Sequence, residues 1–379
     1  MSKLNHVLGI SGGKDSAALA IYLKDKYPSF SFTYYFTDTG KELEETYQLI
    51  DNLESYLGVE VNRLTDEKIE NTNETPFDFY YKSFRGYLPS PQARWCTAQM
   101  KLKPFERFVG DTPIVSYVGI RGDEQREGYI SKAENIQSIF PFRKNMWSQD
   151  VTKKILDPKN KELALSIFRS YYNGNKLDKI NAFLSRQINS DRNYRLEAER
   201  MRNNIIEDIL SLGIAEYNRS IFDFLKTTNC PISILEDYPL LENEDNLVRA
   251  DIFRILEESG VGIPAYYNKV EFEVNGQKGE YARSRSGCFF CFFQQKIEWV
   301  WLYEQHPDKF EEAMKYENED EWFTWMPDEP LSSLIDPRRI EDIKLKHINR
   351  ANKSKSSESK LLLDKLIDAE DGACTACFI

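Results

Sequence analysis

Along the first 135 residues, short apolar runs alternate with longer segments whose apolar positions recur every three to four residues. Val7–Ile10 reads as a buried strand, and the Ala- and Leu-rich Asp15–Leu23 as a helix. The β-rich run SFTYYF, Ser31–Phe36, ends in Thr37-Asp38-Thr39-Gly40. Glu42–Leu57 follows as a helix, Val59–Leu64 as a strand, and PIVSYVGI, Pro113–Ile120, as a further buried strand. This alternation predicts an α/β fold: a doubly wound, open parallel sheet with helices on both faces. Ligands of such sheets sit beyond the carboxyl ends of the strands. That rule gathers Ser11–Ser16, Asp38–Gly40 and Arg121–Glu124 around one crevice.

The pattern changes after residue 142. Residues 143–235 are helical in pattern, polar and rich in Asn, Arg and Tyr, and read as a helical insertion. Between Lys153 and Lys226 there are 14 Lys and Arg against 10 Asp and Glu, a local excess of four positive charges. Such a face either is a solvated helical surface or docks a nucleic acid or protein partner. Leu247, Ile252, Phe253 and Ile255 then mark a helix within Asp245–Tyr267, closed by Gly260 and Pro264. SKSSESK at 354–360 reads as a linker, followed by a tail holding Cys374 and Cys377. The organisation expected is a nucleotide-binding domain over 1–142, the insertion over 143–235, a C-terminal helical region with a cysteine knuckle over 236–350, and a tail over 351–379.

Composition narrows the classes. A chain of 379 residues buries a large core in two or three domains. No apolar run approaches membrane-spanning length, and the first residues lack a signal-peptide apolar segment, so a soluble, cytoplasmic protein is expected, with no membrane partner. The net charge of −11 argues against a surface that binds nucleic acid throughout. Six cysteines without an export signal point to metal or redox use rather than a disulfide scaffold, and three histidines leave little for a His-based centre.

The break in VLGISGGKDSAALAIYL carries the chemistry. Ser11, Gly12 and Gly13 allow a tight turn between strand and helix, and unpaired N–H groups with the helix dipole make an anion site there. It is not a Walker A loop. Only three residues separate Gly9 from Gly13, and Asp15 stands between Lys14 and Ser16. The hydroxyls of Ser11 and Ser16 and the backbone amides suit pyrophosphate oxygens, Lys14 neutralises them, and Asp15 suits placement of Mg²⁺. Asp38 suits a ribose, Mg²⁺ or a simple Asx turn.

SGCFFCFFQQ places Cys288 and Cys291 in a C-x-x-C knuckle, and ARWCTAQMKLKP places Cys96 near Lys101 and Lys103. Three thiolates suit a 4Fe–4S cluster with one open iron, or Zn²⁺ with a fourth ligand. Phe289, Phe290, Phe292 and Phe293 would form a dry shell around either. A reduced apolar pair packed in a core is the other reading of the knuckle. Cys230, before a proline, is a bystander.

Together these segments resemble the phosphoadenosine phosphosulfate reductase-like branch of the PP-loop superfamily, whose fold is adenine-nucleotide alpha-hydrolase-like. The likeness rests on SGGKDS at 11–16, FTDTGKELEET at 36–46, RWCTAQMKLKP at 94–104, YVGIRGDEQREGY at 117–129 and SGCFFCFFQ at 286–294. A C-terminal E-C-G-x-H motif of the assimilatory reductases is absent, and Trp95 precedes Cys96 where cluster-bearing adenylyl-sulfate reductases carry adjacent cysteines. The chain is more similar to ATP pyrophosphatases of sulfur transfer, including enzymes of DNA phosphorothioation and proteins of phage-defence loci.

That resemblance implies cleavage of ATP between its α- and β-phosphates, adenylation of an acceptor oxygen, and displacement of AMP by sulfur from a donor such as a cysteine desulfurase. It implies that Ser11, Gly12, Gly13, Lys14, Asp15, Ser16, Asp38, Thr39, Gly40 and Gly119 hold ATP. Lys14, Asp15, Lys101, Lys103 and Arg121 would serve catalysis, and Cys96, Cys288 and Cys291 a cluster or zinc. The alternatives are a thiol-dependent adenylyl-sulfate or phosphoadenylyl-sulfate reductase using Cys374 or Cys377, and a non-catalytic nucleotide-sensing protein.

Overall fold

A computed structural model describes residues 4–124, 133–186, 195–318, 320 and 323–356. Cys374 and Cys377, and Gln125–Tyr129 of the YVGIRGDEQREGY segment, lie outside the described residues. Strands β1 (Asn5–Gly9), β2 (Phe32–Thr37), β3 (Asn62–Leu64), β4 (Ile114–Tyr117) and β5 (Ile136–Ile139) form an all-parallel sheet in the order β3-β2-β1-β4-β5, flanked by helices. The α/β class expected from the alternation is the observed one. All four residues of β4 are buried, as a parallel strand covered on both faces must be. Strand β3 is shorter than its apolar content suggests, because Val59 lies outside it and is 48% exposed.

By contact the chain divides into two compact units. The first holds the described residues up to Gly9, Ala18–Thr33 and Val109–Arg254. Here β1 pairs with β4, with Leu8 opposite Tyr117, and β4 pairs with β5, with Ile114 opposite Ile136. The segment 143–235 is helical as expected, with helices Gln149–Ile155, Lys161–Phe168, Gly174–Leu184, Arg195–Leu210 and Ile214–Lys226. The last of these buries Tyr217, Ile221, Phe224 and Leu225, a stripe at helical spacing. The short turn Pro231–Ile234 packs on β4 and β5, and Phe222 stacks on Tyr238. The end of this segment therefore contributes to the core of its unit.

A chain of polar contacts also anchors this unit. The Tyr238 hydroxyl donates to the Tyr117 hydroxyl at 2.8 Å, and the Tyr117 hydroxyl meets His6 Nδ1 at 2.8 Å. Because Tyr117 accepts from Tyr238, its own proton is available to Nδ1, an arrangement that suits a neutral His6. Burial among Phe30, Phe32 and Tyr117 lowers the His6 pKa to about 4. A histidine depressed in the fold contributes stability above its unfolded value, near 6.5, and that contribution is lost as pH falls through about 4. Acidification from pH 7 to 4 should cost about 2 kcal/mol through this group, allowing for its partial exposure. Denaturant melts at both pH values check this: His6→Gln should lack that increment, and an equal acid loss in both proteins would contradict it.

The second unit holds Ile10–Ala17, Tyr34–Phe108 and the described residues from Ile255 onward. Helix α2 (Glu44–Leu57) buries Thr46, Leu49, Ile50, Leu53 and Leu57 and ends at Gly58, whose φ of 73° closes the helix in the left-handed region. A hairpin of β6 (Val270–Val274) and β7 (Gln277–Tyr281) turns at Asn275 and Gly276, with φ 49° and 73°. That is the primed turn that matches strand twist. Phe77, Phe290, Tyr316 and Trp325 form an aromatic core, with Phe290 stacked on Trp325 at 4.6 Å. Helix Pro337–Ser356 carries the chain into the region read as a linker.

Candidate phosphate-binding site

Helix α1 (Lys14–Lys26) starts within the Ser-Gly-Gly-Lys-Asp-Ser turn, and the Gly13 carbonyl accepts its first bond from Ala17 N–H at 3.2 Å. Gly12 has φ 71°, and a Cβ there would lie 2.2 Å from Thr46 Cγ2. A Cβ on Gly13 would lie 2.5 Å from Ser286 Oγ. Gly12 is thus required by its backbone conformation and by Thr46, while at Gly13 a side chain would have to displace the Ser286 hydroxyl. The Ser11 and Ser16 hydroxyl oxygens are 3.1 Å apart, Ser11 N–H donates to Ser16 Oγ at 3.1 Å, and Ser16 donates to the Gly13 carbonyl at 3.2 Å. These bonds hold two hydroxyls side by side at a helix N-terminus, which suits phosphate oxygens.

Lys14 is 1% exposed. Its ammonium meets Asp15 Oδ2 at 3.1 Å and sits 5.0 Å from the centre of the Tyr267 ring. A buried cation needs such partners, since desolvation alone would be costly. Two tyrosines that the sequence reading passed over brace the turn. Tyr266 donates to the Gly12 carbonyl at 3.1 Å, and Lys14 N–H reaches the Tyr267 hydroxyl at 3.5 Å. Ser286 also donates to the Ser11 carbonyl, at 3.4 Å.

The second loop, Asp38–Gly40, lies in the same unit. Asp38 Oδ1 accepts from Gly40 N–H at 2.8 Å, so the carboxylate makes an Asx turn, and Tyr47 donates to that oxygen at 2.9 Å. Thr39 donates to Glu42 Oε1 at 2.7 Å and has its hydroxyl 3.2 Å from Cys288 Sγ. Burial, reinforced by Asp38, raises the Glu42 pKa to about 7, against the pull of Thr39 and Lys101. Glu42 lies within the FTDTGKELEET segment, but its burial is a tertiary property that the local sequence does not carry. Lys101 acts electrostatically on both Glu42 and Cys288. Lys103, two residues on, is exposed and donates to Gln99 Oε1 at 2.7 Å. Lys101 stands in a π turn, Ala98–Leu102, between Trp95–Thr97 and the helix Lys103–Val109. Such turns are common at functional sites.

Gly119 and Arg121 belong to the first unit, just after β4. Gly119 is buried. Arg121 is fully buried and ion-paired, with Nε 2.9 Å from Asp123 Oδ1 and Nη1 3.0 Å from Glu124 Oε1. Its charge is compensated by its own loop.

Of the three expected metal-ligating cysteines, Cys288 and Cys291 share a tight turn, in which Cys291 N–H donates to the Cys288 carbonyl at 3.1 Å. Burial, with Glu42 nearby, pushes the Cys288 thiol well above its ordinary range, and Thr39 partners it. Cys96 is half-buried, 4.0 Å from the Thr97 hydroxyl. Among the described residues no group of three or more His, Cys, Asp or Glu is placed to hold a metal ion. A cluster or zinc on Cys96, Cys288 and Cys291 is therefore not shown, and no chemistry is derived through one.

Residues 5–148 match the phosphoadenosine phosphosulfate reductase domain. This match fits the phosphoadenosine phosphosulfate reductase-like branch of the PP-loop superfamily, which SGGKDS at 11–16 resembles. At the level of the family it is a nucleotide-binding domain of sulfur-related enzymes. A protein of Methanocaldococcus jannaschii, described as uncharacterized, is 31% identical over 147 residues, or 35% of this chain. The chain spans only 28% of that relative's length. No solved structure matches the chain. Among the described residues, no helix is long and apolar enough to cross a membrane.

Proposed function

We propose that the protein is an ATP pyrophosphatase of sulfur transfer. In this reading an acceptor oxygen attacks the α-phosphorus of ATP, the bond to the β-phosphate breaks, and pyrophosphate leaves with the electron pair. Sulfide from a donor then displaces AMP from the activated acceptor. The observation that carries the reading is Lys14, buried at the first turn of α1 within the same turn that sets the Ser11 and Ser16 hydroxyls 3.1 Å apart. A leaving pyrophosphate gains charge as the bond breaks, and preorganised donors and cations in a dry site stabilise that charge most. Gly12 and Gly13 let the backbone amides approach it, and Ser11 and Ser16 supply hydroxyl donors.

The α-phosphorus needs a cation of its own, and Lys101, through its field at Glu42, is the nearer candidate of the two lysines on that segment. Asp15 and the phosphates together suit Mg²⁺, which commonly binds through one carboxylate and substrate oxygens. DNA phosphorothioation and phage defence are the pathways this chemistry would serve, with the excess of positive charge over Lys153–Lys226 as a docking face for nucleic acid or a protein partner. The test is product analysis: pyrophosphate and AMP from ATP support the reading. Sulfite released from adenylyl sulfate, with no cleavage of ATP, would assign a reductase instead.

Lys101 gives a prediction separate from the loop. Lys101→Gln should lower turnover about tenfold or more with little change in ATP affinity, whereas Lys103→Gln should leave both within a factor of about two. Steady-state kinetics of the two variants check the contrast. Equal losses in both would contradict it.

A further inference from the structure

Arg283 is 2% exposed, yet among the described residues it has no carboxylate within ion-pair distance. One Nη2–H donates to the Cys288 carbonyl at 3.1 Å, the guanidinium lies 5.7 Å from the centre of the Tyr266 ring, and Nε has no hydrogen-bond partner among the described residues. A carbonyl dipole and an aromatic face are weak compensation for a buried full charge. An arginine retained in this condition calls for an anion.

Its neighbours say which anion. Arg283 N–H donates to the Tyr266 carbonyl at 2.9 Å, and the Tyr266 hydroxyl donates to the carbonyl of Gly12. Three residues on, Ser286 donates to the Ser11 carbonyl and stands against Gly13. The segment from Arg283 to Ser286 is therefore stitched to the turn that opens α1. Lys14 itself is paired with Asp15, so much of its positive charge is already spent within the turn. A bound pyrophosphate moiety would bring negative charges that Lys14 alone does not balance.

We propose that Arg283 is the second cation of the phosphate site, a positioning residue whose buried charge is compensated by the β- and γ-phosphates of the nucleotide and which steadies the turn through Tyr266. The proposal rests on the reading of Ser11–Ser16 as a phosphate loop. It assigns Arg283 a binding role in a segment outside the matched domain, residues 5–148. Because the charge is uncompensated without ligand, neutralising it should leave the free protein's melting temperature unchanged or raised.

Calorimetric titrations of wild type, Arg283→Gln and Arg283→Lys with pyrophosphate, Mg-ATP and adenosine test it. Arg283→Gln should bind pyrophosphate and ATP about tenfold more weakly or worse, with adenosine within a factor of about two. Arg283→Lys, which keeps the charge, should recover most of the loss. Pyrophosphate binding by Arg283→Gln equal to wild type would overturn the proposal, as would an equal loss for adenosine. Failure of both Arg283→Gln and a volume-matched Arg283→Met to fold would also overturn it, by making Arg283 a structural residue. Wild type that binds neither ATP nor pyrophosphate would instead overturn the phosphate-loop reading itself.

Discussion

Lys14→Gln should reduce Mg-ATP affinity or pyrophosphate release about a hundredfold, the usual cost of removing one preorganised charge from a developing anion. Gln is the informative replacement because Lys14 is also the partner of Asp15, 3.1 Å away and 4% exposed. An amide still donates to that carboxylate. Ala keeps neither the charge nor a donor to that carboxylate, so it also removes a buried polar contact. Lys14→Ala should therefore lose both function and melting temperature, whereas Lys14→Gln loses function with little change in melting. The functional loss should grow with the number of phosphates: small for adenosine, larger for AMP, largest for ATP. Titration calorimetry of the three ligands reads this directly. A loss equal for all three would place Lys14 outside the phosphate site.

Gly12→Ala should damage both the fold of the second unit and its ATP binding. The backbone at Gly12 is left-handed, with φ 71°, which costs a residue bearing Cβ about 1–2 kcal/mol. The new methyl would also stand 2.2 Å from Thr46 Cγ2, in a helix whose buried stripe fixes that side chain. Overpacking of this kind costs about 1–3 kcal/mol. A total loss of about 2–5 kcal/mol is expected, together with loss of ATP binding. Thr46→Ser removes Cγ2 and keeps the hydroxyl. Gly12→Ala combined with Thr46→Ser should recover the overpacking part and leave the backbone part, a coupling measurable in a double-mutant cycle. Strict additivity of the two substitutions would show that the turn relaxes away from α2 and that contact with Thr46 does not set it.

How much of this was legible in the sequence depends on the range of the interaction. The turn at 11–16 was readable because its demands are local: a glycine for positive φ, hydroxyls at fixed spacing, a helix start. Helix α2 was readable because its buried positions fall at helical intervals from Thr46 to Leu57. Strand β3 was overdrawn because Val59 is apolar but exposed, and hydropathy does not report exposure. Strand β5, Ile136–Ile139, was not singled out because two of its four residues are Gln and Ser. The β6–β7 hairpin carried a strong local signal in Asn275-Gly276 that the reading did not use.

The site divides in the same way. The contacts of Ser11 with Ser16 and of Lys14 with Asp15 are local, within six residues of one turn. The brace of Tyr266 joins it to Gly12 across 254 positions, and the raised Glu42 and the weakly compensated Arg283 depend first on burial, which only the tertiary fold sets. No window of sequence contains that information. For the cysteines, the C-x-x-C turn was local and is present, whereas convergence with Cys96 required the tertiary fold.

The central claim is that Ser11–Ser16 hold the pyrophosphate end of ATP while its α–β bond breaks. Incubating excess protein with Mg-ATP labelled at the α- and γ-phosphates, and separating the products of one turnover, tests it most directly. The account predicts pyrophosphate carrying the γ label and an adenylyl group carrying the α label, free as AMP or on an acceptor, both lost in Lys14→Gln. ADP and free phosphate as the products would contradict it.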